Sequence, residues 1–316
     1  MVRYAVQASV WVDFLSQPAD NPPADPLHRP EASGRVPGRA LIAWLDEDEA
    51  GRWLGGSEFQ SSRDPLHREL VRRARAAVAA RPVYESGAVP GTALPADIDH
   101  HLGLLRAHPE SSQSIALMGE PMLVDLARVV AAQKQILTAD AEDRVRGASA
   151  TDLLGLARLT LPVPRREPIA WSFDSQRNAF VLSSPNPNLR VVGHFNSTVG
   201  GEVPGVVFDG FGFALSYQRS YMQVAVIAGR PVLRDGYHRA FGLLRAGIRC
   251  VPAFVKHYRS WDEADMPPGL LREEVCLGPR PPLLTDYLDD RVALDRWVAA
   301  SKRLLVIQAL DLNVPA

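Results

Sequence analysis

Residues 223–255 read QVAVIAGRPVLRDGYHRAFGLLRAGIRCVPAFV, and the fold is decided by how this stretch is parsed. Gln223 to Ile227 is a short apolar run, Gly229-Arg230-Pro231 punctuates it, and Pro231 to Arg234 resumes the extended pattern before Asp235-Gly236. That pattern predicts a hairpin. From Tyr237 to Ala246 the apolar residues Ala240, Phe241, Leu243 and Leu244 recur at helical spacing, and Gly247 stands where a left-handed C-cap is wanted. Cys250 to Val255 returns to a β-rich run, so the order is strand, turn, strand, helix, strand.

Candidate chemistry collects where the second strand meets the helix, at Asp235-Gly236-Tyr237-His238-Arg239. A helix start leaves backbone N–H groups without partners and attracts phosphate or carboxylate. Gly236 would let a ligand approach the main chain, Arg239 offers a planar fork for phosphate, and His238 offers a proton carrier near neutral pH. A purely structural reading fits the same letters: Asp235 caps the helix, Gly236 makes the turn and Arg239 pairs with a surface acid.

The flanking elements widen the match. The order of Gly236, His238, Arg239, Gly247, Val251 and Pro252 resembles the core of the ParB/sulfiredoxin superfamily, in which a hairpin leads into a Gly-x-His-Arg or Gly-Glu-Arg-Arg box that opens a helix. The resemblance implies a nucleotide or phosphate ligand held by Gly236, Tyr237, His238, Arg239 and Arg219, and a nucleoside triphosphate with Mg2+ as cofactor. Phosphoryl transfer, as in a kinase, or nucleotide hydrolysis would follow. It also narrows the choice. The sulfinic acid reductases of that superfamily place a cysteine where Tyr237 stands, and its DNA-partition clamps follow the box with a helix-turn-helix absent after Val255. The alternative is a regulatory or protein-interaction module that keeps the fold without catalysis and docks a partner through its N-terminal helices.

The charge balance narrows the partners. Lys and Arg total 35 against 36 Asp and Glu, a balance that argues against a dedicated nucleic-acid binder. Two cysteines, Cys250 and Cys276, are too few for a disulfide framework or a zinc site and fit a reducing cytoplasm. No apolar run reaches the roughly 20 residues of a membrane span.

Working outward, the letters predict an α+β chain: a largely helical N-terminal region at 1–165 with a short strand-rich start, a ParB/sulfiredoxin-like mixed domain at 166–260, and a helical tail at 261–316. Tyr4, Val6, Ala8, Val10 and Val12 alternate as a strand, Gln17 to Gly38 is a Pro-rich loop, and Ala40 to Leu45 is a second strand. Helices are expected over Asp46–Leu54, Pro65–Ala80, Asp97–Ala107, Pro121–Leu137 and Asp152–Leu159. The prolines of Leu161–Pro168 mark the boundary, and strands follow at Ala170–Phe173, Ala179–Leu182, Leu189–Phe195 and Val206–Phe208. The resemblance adds a helix at Phe211–Tyr221, with Ser216 as cap, and Asp289–Leu305 reads as a helix with Leu294, Trp297 and Val298 on its apolar side.

Three further groups carry candidate chemistry. His194, Asn196, Ser197, Asp209, Ser216 and Arg219 are polar residues that would converge on the box. Among them Asp209 joins Asp235 and His238 as a catalytic candidate, because phosphoryl transfer needs a carboxylate to act as base or orient water. Asp97-Ile98-Asp99-His100-His101 supplies metal-ligand types, but neighbouring histidines diverge on a helix, and a capped helix start explains the same residues. Arg68, Arg72, Arg73 and Arg75 would line an acidic partner or form a solvated helix face.

Overall fold

This computed structural model describes residues 35–55, 65–85, 91–109, 111–164, 169–184, 189–200, 207–217, 220–299 and 303–308. The chain divides into two units, residues 23–164 with 220–300, and residues 1–22, 165–219 and 301–316. The larger unit opens with strand β1 (Arg35–Ala40) and helices α1 (Glu47–Gly55) and α2 (Pro65–Ala79). Strand β2 (Gly91–Ala93), helices α3 (Asp99–Ala107) and α4 (Ser112–Leu117), strands β3 (Glu120–Asp125) and β4 (Gln135–Leu137), and helices α5 (Thr138–Arg144) and α6 (Leu153–Thr160) follow. The smaller unit holds β5 (Trp171–Asp174), β6 (Ala179–Ser184), β7 (Leu189–Gly200) and β8 (Val207–Tyr217). The larger unit resumes with β9 (Gln223–Ile227), β10 (Arg230–Asp235), α7 (Tyr237–Arg245), β11 (Cys250–Tyr258), α8 (Glu273–Cys276) and β12 (Leu294–Ala299), and β13 (Arg303–Gln308) returns to the smaller one.

The architecture is α+β. In the larger unit a five-stranded sheet has the order β10-β9-β11-β3-β2, and a three-stranded sheet the order β12-β1-β4. Strand β11 lies parallel to β9 and antiparallel to β3. Its residues alternate between two cores: Val251, Ala253 and Val255 join Val224, Phe241 and Leu243, whereas Phe254 joins Ile98, Leu105, Leu161 and Tyr221. Burial on both faces explains why residues 251–255 of this strand are an unbroken apolar run. Each such side chain contributes roughly 1.5–3 kcal/mol through removal from water.

The β9–β10 hairpin closes through Ala228 and Gly229, at φ 49° and 76°, a left-handed pair suited to the right-handed twist of the strands. The turn falls one residue earlier than the letters suggest. Pro231 therefore sits inside β10, and it is tolerated because β10 is the edge of its sheet. Gly247 has φ 79°, as a residue just past a helix end requires.

In the smaller unit, Asp174 Oδ1 accepts from the N–H groups of Gln176 and Arg177 at 3.0 and 3.1 Å, which shapes the β5–β6 turn. The Trp171 and Phe173 rings lie 6.0 and 5.0 Å from that of Phe180 across the pair. In the β7–β8 ribbon, Phe195 covers Gly212, where a Cβ would stand 2.4 Å from the ring.

Several expectations are corrected. Phe211–Tyr217 is part of strand β8, because Phe211, Phe213, Leu215 and Tyr217 alternate with Gly210, Gly212, Ala214 and Ser216; Ser216 caps nothing and pairs with Arg190 in the ladder. Pro121–Leu137 is not a helix. It contains most of β3, a 3-10 turn capped by Asp125, and β4, and β3 is drawn into the sheet by β11. The strand expected at Ala40–Leu45 ends at Ala40 and gives way to a turn in which Trp44 donates to the Leu41 carbonyl at 3.1 Å. The described residues of Asp289–Leu305 hold no helix, since Leu294–Ala299 pairs along the whole of β1. The division at 166–260 and the helical tail at 261–316 give way to the interleaved units, for β3 from the first half completes the sheet of β9 and β11. The strand expected at Tyr4–Val12 lies outside the described residues, as does the Pro-rich loop up to residue 34; Arg35–Gly38 begins β1. The helices at α1, α2, α3 and α6 stand close to where their capping and apolar patterns put them. Among the described residues no helix is long and apolar enough to cross a membrane.

Candidate functional site

Strand β10 ends in a bulge between Leu233 and Asp235, and the chain turns at Gly236 into α7. Gly236 has φ 100° and ψ 18°, and a Cβ there would stand 3.3 Å from Met222 Cα. The backbone conformation therefore favours glycine, and a Cβ would crowd Met222. Asp235 Oδ1 accepts from the Gly236 N–H at 2.6 Å and from Ser220 Oγ at 2.9 Å.

Tyr237 is buried. Its hydroxyl donates to the Leu233 carbonyl and accepts from the Ala132 N–H at 3.2 Å, and burial holds its pKa well above the ordinary phenol value. His238 is half-buried, and its Nε2 accepts from the Leu137 N–H at 3.1 Å. A backbone N–H only donates, so Nε2 carries no proton and the neutral ring holds its proton on Nδ1. Burial, aided by Arg144 and Arg239 and opposed by Asp140, pushes the imidazole pKa down to about 4. A ring in this state is neutral at pH 7 and fastens β4 to α7.

Arg239 is 6 % exposed. Its Nη1 donates to the carbonyls of Leu159 at 2.9 Å and Thr160 at 3.3 Å, and its Nη2 to the Ser220 carbonyl at 2.7 Å and hydroxyl at 2.8 Å. Leu159 and Thr160 close α6, where carbonyls lack intrahelical donors and the helix dipole favours a cation; the Thr160 carbonyl also accepts from the Met222 N–H at 2.8 Å. Arg239 thus acts as a C-cap from another part of the chain. Burial lowers its pKa to about 10, against the pull of Asp235, so it stays charged at neutral pH. The Ser220 hydroxyl accepts from Arg239 and donates to Asp235, linking guanidinium to carboxylate through one oxygen.

The structure brings together Asp235, Gly236, Tyr237, His238 and Arg239, with each polar side chain engaged by the protein itself. Asp209 belongs to β8 of the smaller unit, opposite Thr198; its side chain, those of Asn196 and Ser197, and residue Arg219 lie outside the described residues. Leu159, Thr160 and Ser220 went unnoticed in the letters. The only signal was the expected end of a helix at Leu159, whose carbonyls need a donor.

Elsewhere, His101 is buried with Nε2 2.8 Å from the Leu161 carbonyl, so the 97–101 segment serves as a helix start packed on the core. Among the described residues no group of three or more His, Cys, Asp and Glu is placed to share an ion. Cys276 is buried, its thiol pushed up to about 12 by that burial, and Cys250 is exposed.

Among the described residues, two of the clefts open away from the box. One of about 380 Å³ lies beside the far end of α7, where Phe241 and Arg245 face Arg39 of β1 and Asp295 of β12. Arg39 is held there by Asp295 at 2.8 Å, by Asp290 and by the Tyr287 carbonyl. Burial works against its charge, but the two carboxylates more than offset it and raise its pKa. The other cleft, of about 300 Å³, lies between α1 and α2. Neither is lined by Asp235–Arg239. No family model, no curated protein and no solved structure matches this chain.

Proposed function

We propose that this chain is a ParB/sulfiredoxin-like protein that binds rather than transforms: a regulatory or interaction module in which the Asp235–Arg239 box serves the fold. One observation carries this reading. The Arg239 guanidinium, the group best suited to grip a phosphate, faces inward and makes four hydrogen bonds to Leu159, Thr160 and Ser220. To hold a nucleotide it would have to release the Leu159 and Ser220 carbonyls, and a buried carbonyl left without a donor costs about 1–3 kcal/mol. His238 supports the same reading, since a ring with its pKa at about 4 is a poor proton carrier at neutral pH. Exposed Leu70 of α2, Leu104 of α3 and Leu117 of α4 are apolar surface that a partner could cover.

A nucleoside triphosphate with Mg2+ at the box is the second reading. It is favoured by the left-handed Gly236 corner at the start of α7 and by the Asp235 carboxylate beside it. Thermal unfolding with ATP, CTP, GTP and their diphosphates, with and without magnesium, separates the two. The module reading expects no saturable, magnesium-dependent rise in Tm. A rise that survives Arg72→Glu, far from the box in sequence, and disappears in Arg239→Lys would replace it with the nucleotide reading.

A further inference from the structure

Helix α2 sets three arginines along one cleft. Arg68, Arg72 and Arg75 stand at i, i+4 and i+7, a spacing that stacks side chains on one side of a helix over about 10 Å. With His67 and Val71 of the same helix, and Glu47 and Gly51 of α1, they line the cleft of about 300 Å³. Val71 is buried and gives the cleft an apolar floor.

The protein orients two of these guanidiniums without covering them. Arg75 donates to the Leu45 carbonyl at 2.9 Å and lies 3.6 Å from Glu47, and Arg72 reaches both Glu69 oxygens at 2.7 and 2.8 Å. Their side chains remain 41 % and 71 % exposed. Among the described lining residues Glu47 is the one carboxylate, and it too stands mostly in solvent. Planar forks that share a concave, net cationic wall suit a compact anion with several acceptor oxygens.

We propose that this cleft binds a small polyanion through phosphate or carboxylate oxygens, a site separate from the box and independent of what the box does. Arg72 and Arg75 would supply the forks, Val71 the floor, and Glu47 would weaken binding by repulsion.

Isothermal titration calorimetry of the full chain at low ionic strength, with inorganic pyrophosphate in one arm and citrate in the other, tests this. Saturable binding of either probe is expected, and the tighter one identifies phosphate or carboxylate as the ligand chemistry. Arg72→Glu should weaken it about tenfold or more, the scale of a lost charge-assisted contact. Glu47→Gln should tighten it about threefold, by removing a like charge. That gain is one a misfolded variant would not mimic. Failure of both probes to bind, or binding that neither substitution changes, would overturn the proposal. So would binding that Arg239→Lys abolishes and Arg72→Glu leaves intact, because the anion would then sit at the box.

Discussion

Arg239 and Arg72 carry the same guanidinium in opposite settings. Arg239, in the box that looks made for an anion, is 6 % exposed and bound to the end of α6; Arg72, in a run that looks like a solvated helix face, has a side chain 71 % exposed beside a cleft. The residue type announces a donor in both cases. Only the acceptors around it decide whether that donor is buried in the fold or stays on the surface. The largest effect should come at Arg239: Arg239→Ala should lower stability by about 3 kcal/mol or more, because it strips the donor from the Leu159 and Ser220 carbonyls and the cation that faces Asp235 through the Ser220 hydroxyl. Arg72→Ala should change it by less than about 0.5 kcal/mol. Urea unfolding of both variants checks this, and two similar small losses would erase the contrast.

His238 extends the contrast to pH. Its folded pKa of about 4 lies below the ordinary 6.5, so between those values the unfolded chain binds a proton that the folded chain does not. Stability should therefore fall as pH drops from 6.5 toward 4, by up to about 3 kcal/mol, and this group should add nothing further below pH 4. In His238→Gln that part of the slope should disappear, while the variant is somewhat less stable at pH 7 through the weakened bond to the Leu137 N–H. Urea midpoints at pH 7, 5.5 and 4 provide the check. A wild-type slope unchanged in the variant would mean that the ring is more open to water than its contacts imply.

How much was legible follows from where the deciding partners lie. The hairpin, helix and strand of residues 223–258 were legible because apolar periodicity, Gly236 and Gly247 are local signals, and each does in the fold what its backbone conformation permits. The turn was misplaced by one residue because Ala228, at φ 49°, gives no sign of a left-handed position. Leu294, Trp297 and Val298 sit at a spacing that a helix would accept; β1, more than 250 positions earlier, makes them a strand. At Phe211–Tyr217 the residues themselves alternate, and the helix came from the resemblance rather than from them. The box was legible as a corner and a helix start. Its use was not, because Arg239 binds main-chain oxygens 80, 79 and 19 positions away, and a carbonyl has no letter of its own.

Ser220 gives the smallest and most discriminating effect. Its hydroxyl stands between Arg239 Nη2 at 2.8 Å and Asp235 Oδ1 at 2.9 Å, but each charged group keeps another bond when it is removed: Arg239 to the Ser220 carbonyl, Asp235 to the Gly236 N–H. Ser220→Ala should therefore cost only about 1 kcal/mol, the net worth of an ordinary hydrogen bond. Its value lies in the coupling. If the hydroxyl carries the interaction between Asp235 and Arg239, the losses of Ser220→Ala and Arg239→Lys should be non-additive by about 0.5 kcal/mol or more in a double-mutant cycle. Strict additivity would mean that Arg239 serves α6 alone, leaving the Asp235 carboxylate as a separate group at the start of α7, and would strengthen the nucleotide reading of the box at the expense of the module.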